Sequence, residues 1–281
     1  NQRPAMPLRG EKSNMASKTT ASAILVLMLT AFISAGCGGN TPDKQAEGKK
    51  SIVTSDTILS GMCEALLPAE SFTAAAILPP GQCPGHYDVK LSDLARVKKA
   101  DLVISFVNMP FMQDVERDAD REIRIDTQGR NWMAPPFYVE GLKILADRLS
   151  GRFPEHAGRI AERRDRAIRE VAEKDRALGE KIRRAGIAPA GVIASSMLRG
   201  PLEWMGCRIA GEYGRPESIS AREIASLIRI GRESGAALIV DNLQSGPEAG
   251  KGIAEALKVP HVVIANFPSE NGYLATLEEN V

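Results

Sequence analysis

The sequence predicts an α/β fold in which two Rossmann-like lobes, each with a parallel sheet, are joined by one long rigid α-helix. Three observations lead to this prediction. Short apolar runs alternate with amphipathic segments over residues 52–125, and the same alternation returns over residues 191–265. Between them lies a segment rich in Ala, Arg, Glu and Lys. Alternating strands and helices are typical of a parallel sheet that is covered on both faces.

Each set of apolar runs supplies about four strands. In the first set we predict strands at residues 52–54, 74–78, 102–107 and 122–125, with helices at 57–67, 91–99 and 111–117. In the second set we predict strands at residues 191–194, 208–210, 237–240 and 261–265, with helices at 220–233 and 247–257.

The segment at residues 154–185 predicts the connecting helix. It starts with Pro154 at a helix-start position, contains no further proline, and places opposite charges three or four residues apart, as in Glu162 and Arg166. Its 32 residues would form a rod of roughly 48 Å. A surface helix of one lobe or a coiled-coil segment is the alternative, but the position between two βα sets favours a rigid link.

The N-terminal residues predict export. Lys18 precedes an apolar run at residues 21–33, which closes on small residues and then Cys37. This order is typical of a signal peptide, because the run is shorter than the ~20 residues that span a bilayer. The cysteine after small residues resembles a bacterial lipobox, so Cys37 is the predicted lipidation site. An ordinary secreted protein with a free cysteine is the alternative.

The predicted organisation is therefore a signal peptide at 1–37, a flexible tether at 38–50, an N-terminal lobe at 51–150, a linker helix at 151–186 and a C-terminal lobe at 187–281. The chain has 36 basic and 35 acidic residues, so no nucleic-acid-binding surface is expected. Export permits a disulfide, and Cys63 with Cys83 is the predicted pair, which leaves Cys207 unpaired.

The stretch PPGQCPGHYD at residues 79–88 holds the most informative side chains. It follows a predicted strand and precedes a helix, so Cys83, His86 and Asp88 are expected at the carboxyl end of a sheet, where ligands bind in open α/β folds. Thiol, imidazole and carboxylate groups are also common metal ligands. The sequence contains only three histidines, and His86 is one of them.

Longer motifs resemble the solute-binding proteins of zinc- and manganese-type ABC transporters. In the first lobe the resemblance lies in GQCPGHYDVKLSDLARVKKADLVI, and in the second lobe in MLRGPLEWMGCRIAGEYGRPESISAREIASLI, DNLQSGPEAGKGIAEALKVPHVVIANFP and GYLATLEENV. It spans residues 52–281. It implies an interlobe cleft that captures a divalent metal, zinc or manganese, and partners in the form of an ABC permease and its ATPase. No organic cofactor is implied.

The resemblance maps one family histidine onto His86, whereas this chain departs from the family pattern at the other ligand positions. Arg130 or Asn131, Met197 and Asn266 stand there instead. His86, Asp241 and Cys83 are the candidate metal ligands. Each has an alternative: His86 as a loop cap, Asp241 as a loop-organising acid, and Cys83 in the disulfide. Further candidates for lining the cleft, each after a predicted strand, are Asn108, Asn131, Met197 and Asn266.

The sequence thus predicts a monomeric, lipid-anchored solute-binding protein outside the cytoplasm, delivering a divalent metal, a metal complex or a small polar solute to a permease. No catalysis is expected, because a Ser/His/Asp triad, a P-loop and a GxGxxG motif are not found in the sequence. Two alternatives are an exported α/β hydrolase or transferase, and a metal-sensing or adhesive lipoprotein on the same fold.

Overall fold

The computed structural model describes residues 48–113 and 115–281, and residues 48–281 form one compact unit. The predicted signal peptide, the lipidation site Cys37 and nearly all of the tether lie outside the described residues. No helix in the described part of the chain combines the length and apolar character needed to cross a bilayer.

Two four-stranded parallel sheets organise the described residues, and both have the same strand topology. The first sheet has the order β2-β1-β3-β4 and the second the order β6-β5-β7-β8. The strands are β1 (Lys50–Thr54), β2 (Phe72–Ala76), β3 (Leu102–Phe106), β4 (Glu122–Ile125), β5 (Gly191–Ser195), β6 (Arg208–Tyr213), β7 (Leu238–Asn242) and β8 (His261–Ile264).

Helices connect and cover these strands. They are α1 (Thr57–Leu66), α2 (Leu91–Lys99), α3 (Pro135–Arg152), α4 (Ala157–Ala185), α5 (Arg199–Trp204), α6 (Ala221–Ser234), α7 (Lys251–Leu257) and α8 (Tyr273–Asn280). The predicted fold class of two parallel-sheet α/β lobes is confirmed. All eight predicted strands exist, although β2 lies two residues before its predicted position.

Alternation along the central strands explains why both faces of each sheet are covered. Leu102 and Ile104 of β3 belong to one buried cluster, whereas Val103 belongs to another. In β5, Val192 and Ile193 likewise fall in separate clusters. Because successive side chains of a strand point to opposite faces, an uninterrupted apolar run supplies a core on each side of the sheet.

Helix α4 confirms the long helix of the sequence and packs against both lobes. Its 29 residues make it about 44 Å long. Ile160, Val171 and Leu178 lie in the core of the first lobe, whereas Ile182 lies in that of the second. The side chain of Asp175 accepts a 2.8 Å hydrogen bond from the Trp204 indole in the second lobe. One face of the helix is therefore packed against each of the two lobes.

Two parts of the helical pattern differ from the sequence prediction. The predicted helix at residues 111–117 is wrong: among the residues of this segment that the structure describes (all but 114), only the 3-10 turn Pro110–Met112 is helical. Beyond the turn, Arg117 reaches back to the carbonyl of Met112 and forms a 2.9 Å ion pair with Glu122, so tertiary contacts hold the following residues as a loop. Helix α3 was not predicted, although it supplies much of the packing surface for α4.

The C-terminal helix α8 returns to the first lobe. Tyr273 and Leu277 are buried in the same cluster as the residues of β1 and α1. The Tyr273 ring stacks on that of Tyr138 at 3.5 Å between centroids, and its hydroxyl donates to the carbonyl of Met133. The end of the chain therefore ties the two lobes together beside the cleft.

Candidate cargo-binding cleft

A cleft of about 400 Å³ lies between the lobes at the carboxyl ends of both sheets. Every strand of the two sheets contributes at least one residue to its wall, from its own end or from the segment that follows it. Apart from Trp132, the polar and sulfur-containing lining residues are Cys83, Asn108, Met109, Thr127, Arg130, Asn131, Met197, Arg215, Asn242, Gln244, Ser245 and Asn266. Parallel topology explains the convergence, because all strands of a parallel sheet end at the same edge.

The loop after β2 is divided between the wall and the mouth of the cleft. Cys83 lies in the wall and is 7% exposed. His86 is exposed and is not among the lining residues; its Nε2 lies 3.1 Å from Oε1 of Glu217, across the mouth. Asp88 is also exposed. The structure therefore brings only one of these three predicted donors into the cleft.

Asn131 connects the two lobes through a network of amides. Its Nδ2 donates to the carbonyl of Met197 at 2.7 Å and to Oδ1 of Asn266 at 2.5 Å. Its own Oδ1 accepts from the backbone N–H of Met133 at 2.9 Å. Three of the predicted lining residues, Asn131, Met197 and Asn266, are thus brought together as the sequence indicates.

Gln244 and Asn242 extend this network on the side of the second lobe. The backbone N–H of Asn266 donates to Oε1 of Gln244 at 2.8 Å, and the N–H of Gln244 donates to Oδ1 of Asn242 at 3.0 Å. The Nδ2 of Asn242 lies 3.3 Å from the sulfur of Met197, which Ser245 also approaches. Met197 is therefore an acceptor within the wall.

Two arginines provide the charge of the cleft. Arg130 is paired with Glu140, outside the wall, and also donates to Gln128. Arg215 follows β6, and its guanidinium lies against the backbone of Gly85 in the opposite lobe, where a Cβ would come within 2.2 Å of it. The lining residues include no Asp, Glu, Lys or His.

Asp241 lies beneath the cleft wall, in a closed set of hydrogen bonds. It is fully buried, and its carboxylate accepts from the hydroxyl of Tyr213 at 2.6 Å and from the N–H of Gly250 at 2.9 Å. Its Oδ2 also lies 2.7 Å from Nε2 of His261. Desolvation and the hydrogen bond to this carboxylate raise the pKa of Tyr213, so its hydroxyl stays protonated as a donor.

Cys63, Cys83 and Cys207 are free thiols, which corrects the predicted pairing of Cys63 with Cys83. Cys63 lies on α1 in the core of the first lobe, whereas Cys83 lies in the cleft wall. Burial raises the pKa of the Cys63 thiol. The two residues therefore lie in different parts of the first lobe, which the spacing of cysteines in the sequence could not show.

Asp56 is the buried carboxyl group next to the cleft-lining residue Ile58. It follows β1 and accepts hydrogen bonds from the backbone N–H groups of Ile58 and Leu59, and so caps α1. Burial raises its pKa to about 6, although hydrogen bonds from Ser55 and from those amides act in the opposite direction. Its oxygens are directed into α1 and to Ser55.

The family of the chain follows from comparison with known proteins. Residues 52–281 match the ZnuA family, described as the periplasmic component A of the zinc-uptake complex. The chain belongs to this family. No curated protein sequence matched the chain.

Solved structures share the fold at low sequence identity. The periplasmic zinc-binding protein TroA from Treponema pallidum has a TM-score of 0.69 and 13% identity, covering 83% of this chain and 96% of TroA. The Mn-bound periplasmic metal-binding protein from Candidatus Liberibacter asiaticus has a TM-score of 0.67 and 16% identity, covering 83% and 97%. The laminin-binding protein Lmb of Streptococcus agalactiae, described as both adhesin and metal transporter, has a TM-score of 0.67 and 15% identity, covering 82% and 96%.

Members of the ZnuA family are extracytoplasmic metal-binding components of zinc and manganese uptake, and they work with an ABC permease and an ATPase. The family is a transport family rather than an enzyme family.

Against that background, the chemistry of this member's cleft is unusual. Among residues 48–113 and 115–281, no three His, Cys, Asp or Glu side chains are grouped so that they could hold a metal ion. Amides, two hydroxyls, two thioethers, one thiol and two guanidinium groups line the cleft instead. The sequence argument missed Arg215 and Asn242 as lining residues. Their positions after β6 and at the end of β7 are the signal that could have found them.

Proposed function

We propose that this chain is the extracytoplasmic capture component of an ABC uptake complex and that its cargo binds in the interlobe cleft. The observation that carries the proposal is the family match over residues 52–281. The position of the cleft supports it, because the ends of two parallel sheets converge there on one pocket. Capture and release require no chemical step, so the proposed role is binding without catalysis.

The chain is proposed to act as a monomer, tethered to the outer face of the membrane through Cys37. A cysteine placed directly after an apolar run and small residues supports this anchor. The tether at residues 38–50 would let the lobes reach the permease. The near balance of acidic and basic residues supports a protein partner rather than a nucleic acid.

Helix α4 supports a binding mode with little relative movement of the lobes. It is buried in both lobes, and Arg163 caps α1 by donating to the carbonyls of Glu64 and Ala65. The helix α8 and the Asn131 network add further ties across the cleft. Cargo exchange would therefore require local movement at the mouth, where His86 meets Glu217, rather than a hinge rotation.

Metal binding by His86, Cys83 and Asp241 remains a prediction from the sequence. Cys83 has the strongest support, because its side chain lies in the cleft wall. His86 would have to leave Glu217, and Asp241 would have to give up three protein partners.

Transport capture is tested with the cognate permease and ATPase in lipid nanodiscs. The full-length chain should raise the rate of ATP hydrolysis in a saturable way, because capture components dock on their permease. The matched control is a variant with Cys37→Ala, which should stimulate equally when added in solution but should not remain attached to vesicles. No stimulation at any concentration of the full-length chain would contradict the proposed role.

A further inference from the structure

We propose that the cleft of this chain takes a small carboxylate-bearing ligand anchored by Arg215, and that a divalent metal enters it only inside such a carboxylate complex. This inference rests on the proposed role in solute capture and specifies the chemical class of the cargo. Three independent features of the cleft support it: its charge, its unused hydrogen-bond donors and its size.

The charge of the cleft is positive. The charge of Arg130 is compensated by Glu140. The guanidinium of Arg215 has no hydrogen-bond partner among the described residues; only its backbone carbonyl is bonded, by Ser218. The nearest acid on the same loop, Glu217, is exposed and lies next to His86 at the mouth. Besides a backbone hydrogen bond, the charge of nearby Arg215 lowers the pKa of that carboxyl group, but Glu217 does not line the cleft. Because the lining residues include no carboxylate, a bare dication inside the cleft would meet the Arg215 guanidinium with no opposite charge in the wall to hold it.

The amide groups present donors to the cleft. The oxygens of Asn131, Asn242, Gln244 and Asn266 each accept a hydrogen bond from a protein N–H. These bonds fix the orientation of the Gln244 and Asn266 amides, since a backbone N–H or an amide N–H requires an oxygen opposite it. Their NH₂ groups have no acceptor among the described residues, and Gln244 is only 8% exposed. Donors that line the cleft without a protein acceptor are suited to bind an anionic oxygen.

The lack of a side chain at Gly85 lets the guanidinium of Arg215 pack directly against the backbone of the first lobe. The guanidinium lies where a side chain at residue 85 would have to be, with its carbon 2.3 Å from the position of a Cβ. The planar, forked donors of arginine match a carboxylate in a bidentate arrangement. Because Arg215 comes from the second lobe and Gly85 from the first, a ligand on this guanidinium would contact both lobes at once.

The size and apolar lining of the cleft suit an organic molecule. Its volume of about 400 Å³ falls within the range of small-molecule sites, roughly 300–1,000 Å³. Ile58, Phe106, Trp132 and Phe267 supply apolar wall next to the polar groups. A single dehydrated ion would leave most of this volume to water, whereas a carboxylate with an apolar part, alone or around a metal, would contact both kinds of wall.

The test uses isothermal titration calorimetry and native mass spectrometry on the full-length protein. Three probes are compared in a non-coordinating buffer: zinc alone, a panel of carboxylates alone (citrate, succinate, glutamate and histidine), and each carboxylate premixed with zinc. We expect at least one carboxylate to bind, and the mass of the bound species shows whether it enters free or with zinc. Zinc alone should not bind in the cleft.

Variants test the anchor itself. Arg215→Met should weaken carboxylate binding roughly 10- to 100-fold, the effect expected for loss of charge-assisted hydrogen bonds. Gly85→Ala keeps the charge of Arg215 but fills the space that its guanidinium occupies, so it should also weaken binding. Gly85 is not among the glycines of positive φ, so its backbone conformation is compatible with alanine. Arg229→Met, on the outer face of α6, is the matched control and should bind like the unmodified protein.

Two outcomes would overturn the inference. One is that no carboxylate binds, with or without zinc. The other is that zinc alone binds in the cleft, shown by zinc binding that Cys83→Ala abolishes. Neither outcome bears on docking to the permease, because stimulation of ATP hydrolysis is measured separately, so failure of the ligand class and failure of the transport role remain distinguishable.

Discussion

Asn131 of the first lobe donates a 2.7 Å hydrogen bond to the carbonyl of Met197 in the second, and so closes the cleft floor between the two sheets. The same amide bonds Asn266 and Met133. A residue that the sequence resemblance places near a metal-ligand position therefore connects the lobes through hydrogen bonds in this chain.

Replacing Asn131 by Ala should lower the free energy of unfolding by about 2–3 kcal/mol, because three part-buried groups lose their partner. Urea denaturation of the full-length protein measures the effect. Asn271→Ala, at an exposed asparagine just before α8, is the control and should change stability by less than about 0.5 kcal/mol. Equal stability of the two variants would show that the amide network adds nothing to lobe association.

Replacing Asp241 by Ala should destabilise the protein by about 3 kcal/mol or more, since the Tyr213 hydroxyl, the Gly250 N–H and the His261 ring would all lose a buried acceptor. Asp126→Asn, at an exposed carboxylate, should be close to neutral. A variant of normal stability that has lost cargo binding would instead support the role of Asp241 as a metal ligand.

His86 and Glu217 can be tested as a pair. Both side chains are about half exposed and their charges are screened by solvent, so neither His86→Ala nor Glu217→Gln should alter stability measurably. The two variants should also release cargo at similarly increased rates, because each removes the same contact at the mouth. Stopped-flow dissociation measures this. If zinc raises the stability of the unmodified protein, and His86→Ala but not Glu217→Gln abolishes that increase, His86 acts as a metal ligand.

Asp56 should make stability depend on pH. Its pKa is raised to about 6 in the folded protein from 3.8, so the folded state holds a proton that the unfolded state has lost between these values. This contribution is present in full below pH 3.8 and is lost as the pH rises through about 6. The difference corresponds to roughly 3 kcal/mol.

Asp56→Asn is the matched variant for this measurement, because asparagine also caps helices well. Urea denaturation between pH 4 and pH 7 should show the unmodified protein losing stability relative to Asp56→Asn as the pH rises. Parallel pH profiles of the two proteins would mean that Asp56 titrates alike in the folded and unfolded states.

The thiols of Cys63 and Cys83 should both be recovered unpaired. Alkylation of the denatured protein without reductant, followed by peptide mass spectrometry, should label both residues. In the native protein Cys63 should resist labelling, because it is fully buried and its pKa is raised. A linked peptide that contains residues 63 and 83 would contradict the structure.

The strand pattern of both lobes was predictable because it depends on local sequence. Runs such as LVISF at β3 and GVIAS at β5 are apolar throughout, and burial on both faces of a parallel sheet requires that pattern. The long helix was predictable from charge spacing and the lack of proline after Pro154. Helix α3 was harder to predict, since two prolines open it and its apolar residues are less regularly spaced.

The residues that line the cleft were only partly predictable. Asn108, Asn131, Met197 and Asn266 were found because each follows a strand, and parallel strands end at one edge. The rule did not distinguish side chains that face the cleft from those that face the protein, so it selected Asp241 and passed over the next residue, Asn242. The first is enclosed by Tyr213, Gly250 and His261, and the second lines the wall.

The sequence alone therefore determined the two-lobed α/β fold and the connecting helix, because both depend on the periodicity of apolar and charged residues. It also indicated the protein family, because contiguous motifs such as the PPGQCPGHYD loop carry that resemblance. Only the tertiary structure decided which side chains meet. It placed His86 at the mouth, left Cys63 and Cys83 unpaired, and brought Arg215 onto Gly85 across the cleft. Contacts between residues more than a hundred positions apart depend on how two separately folded sheets pack, and local sequence does not encode that distance.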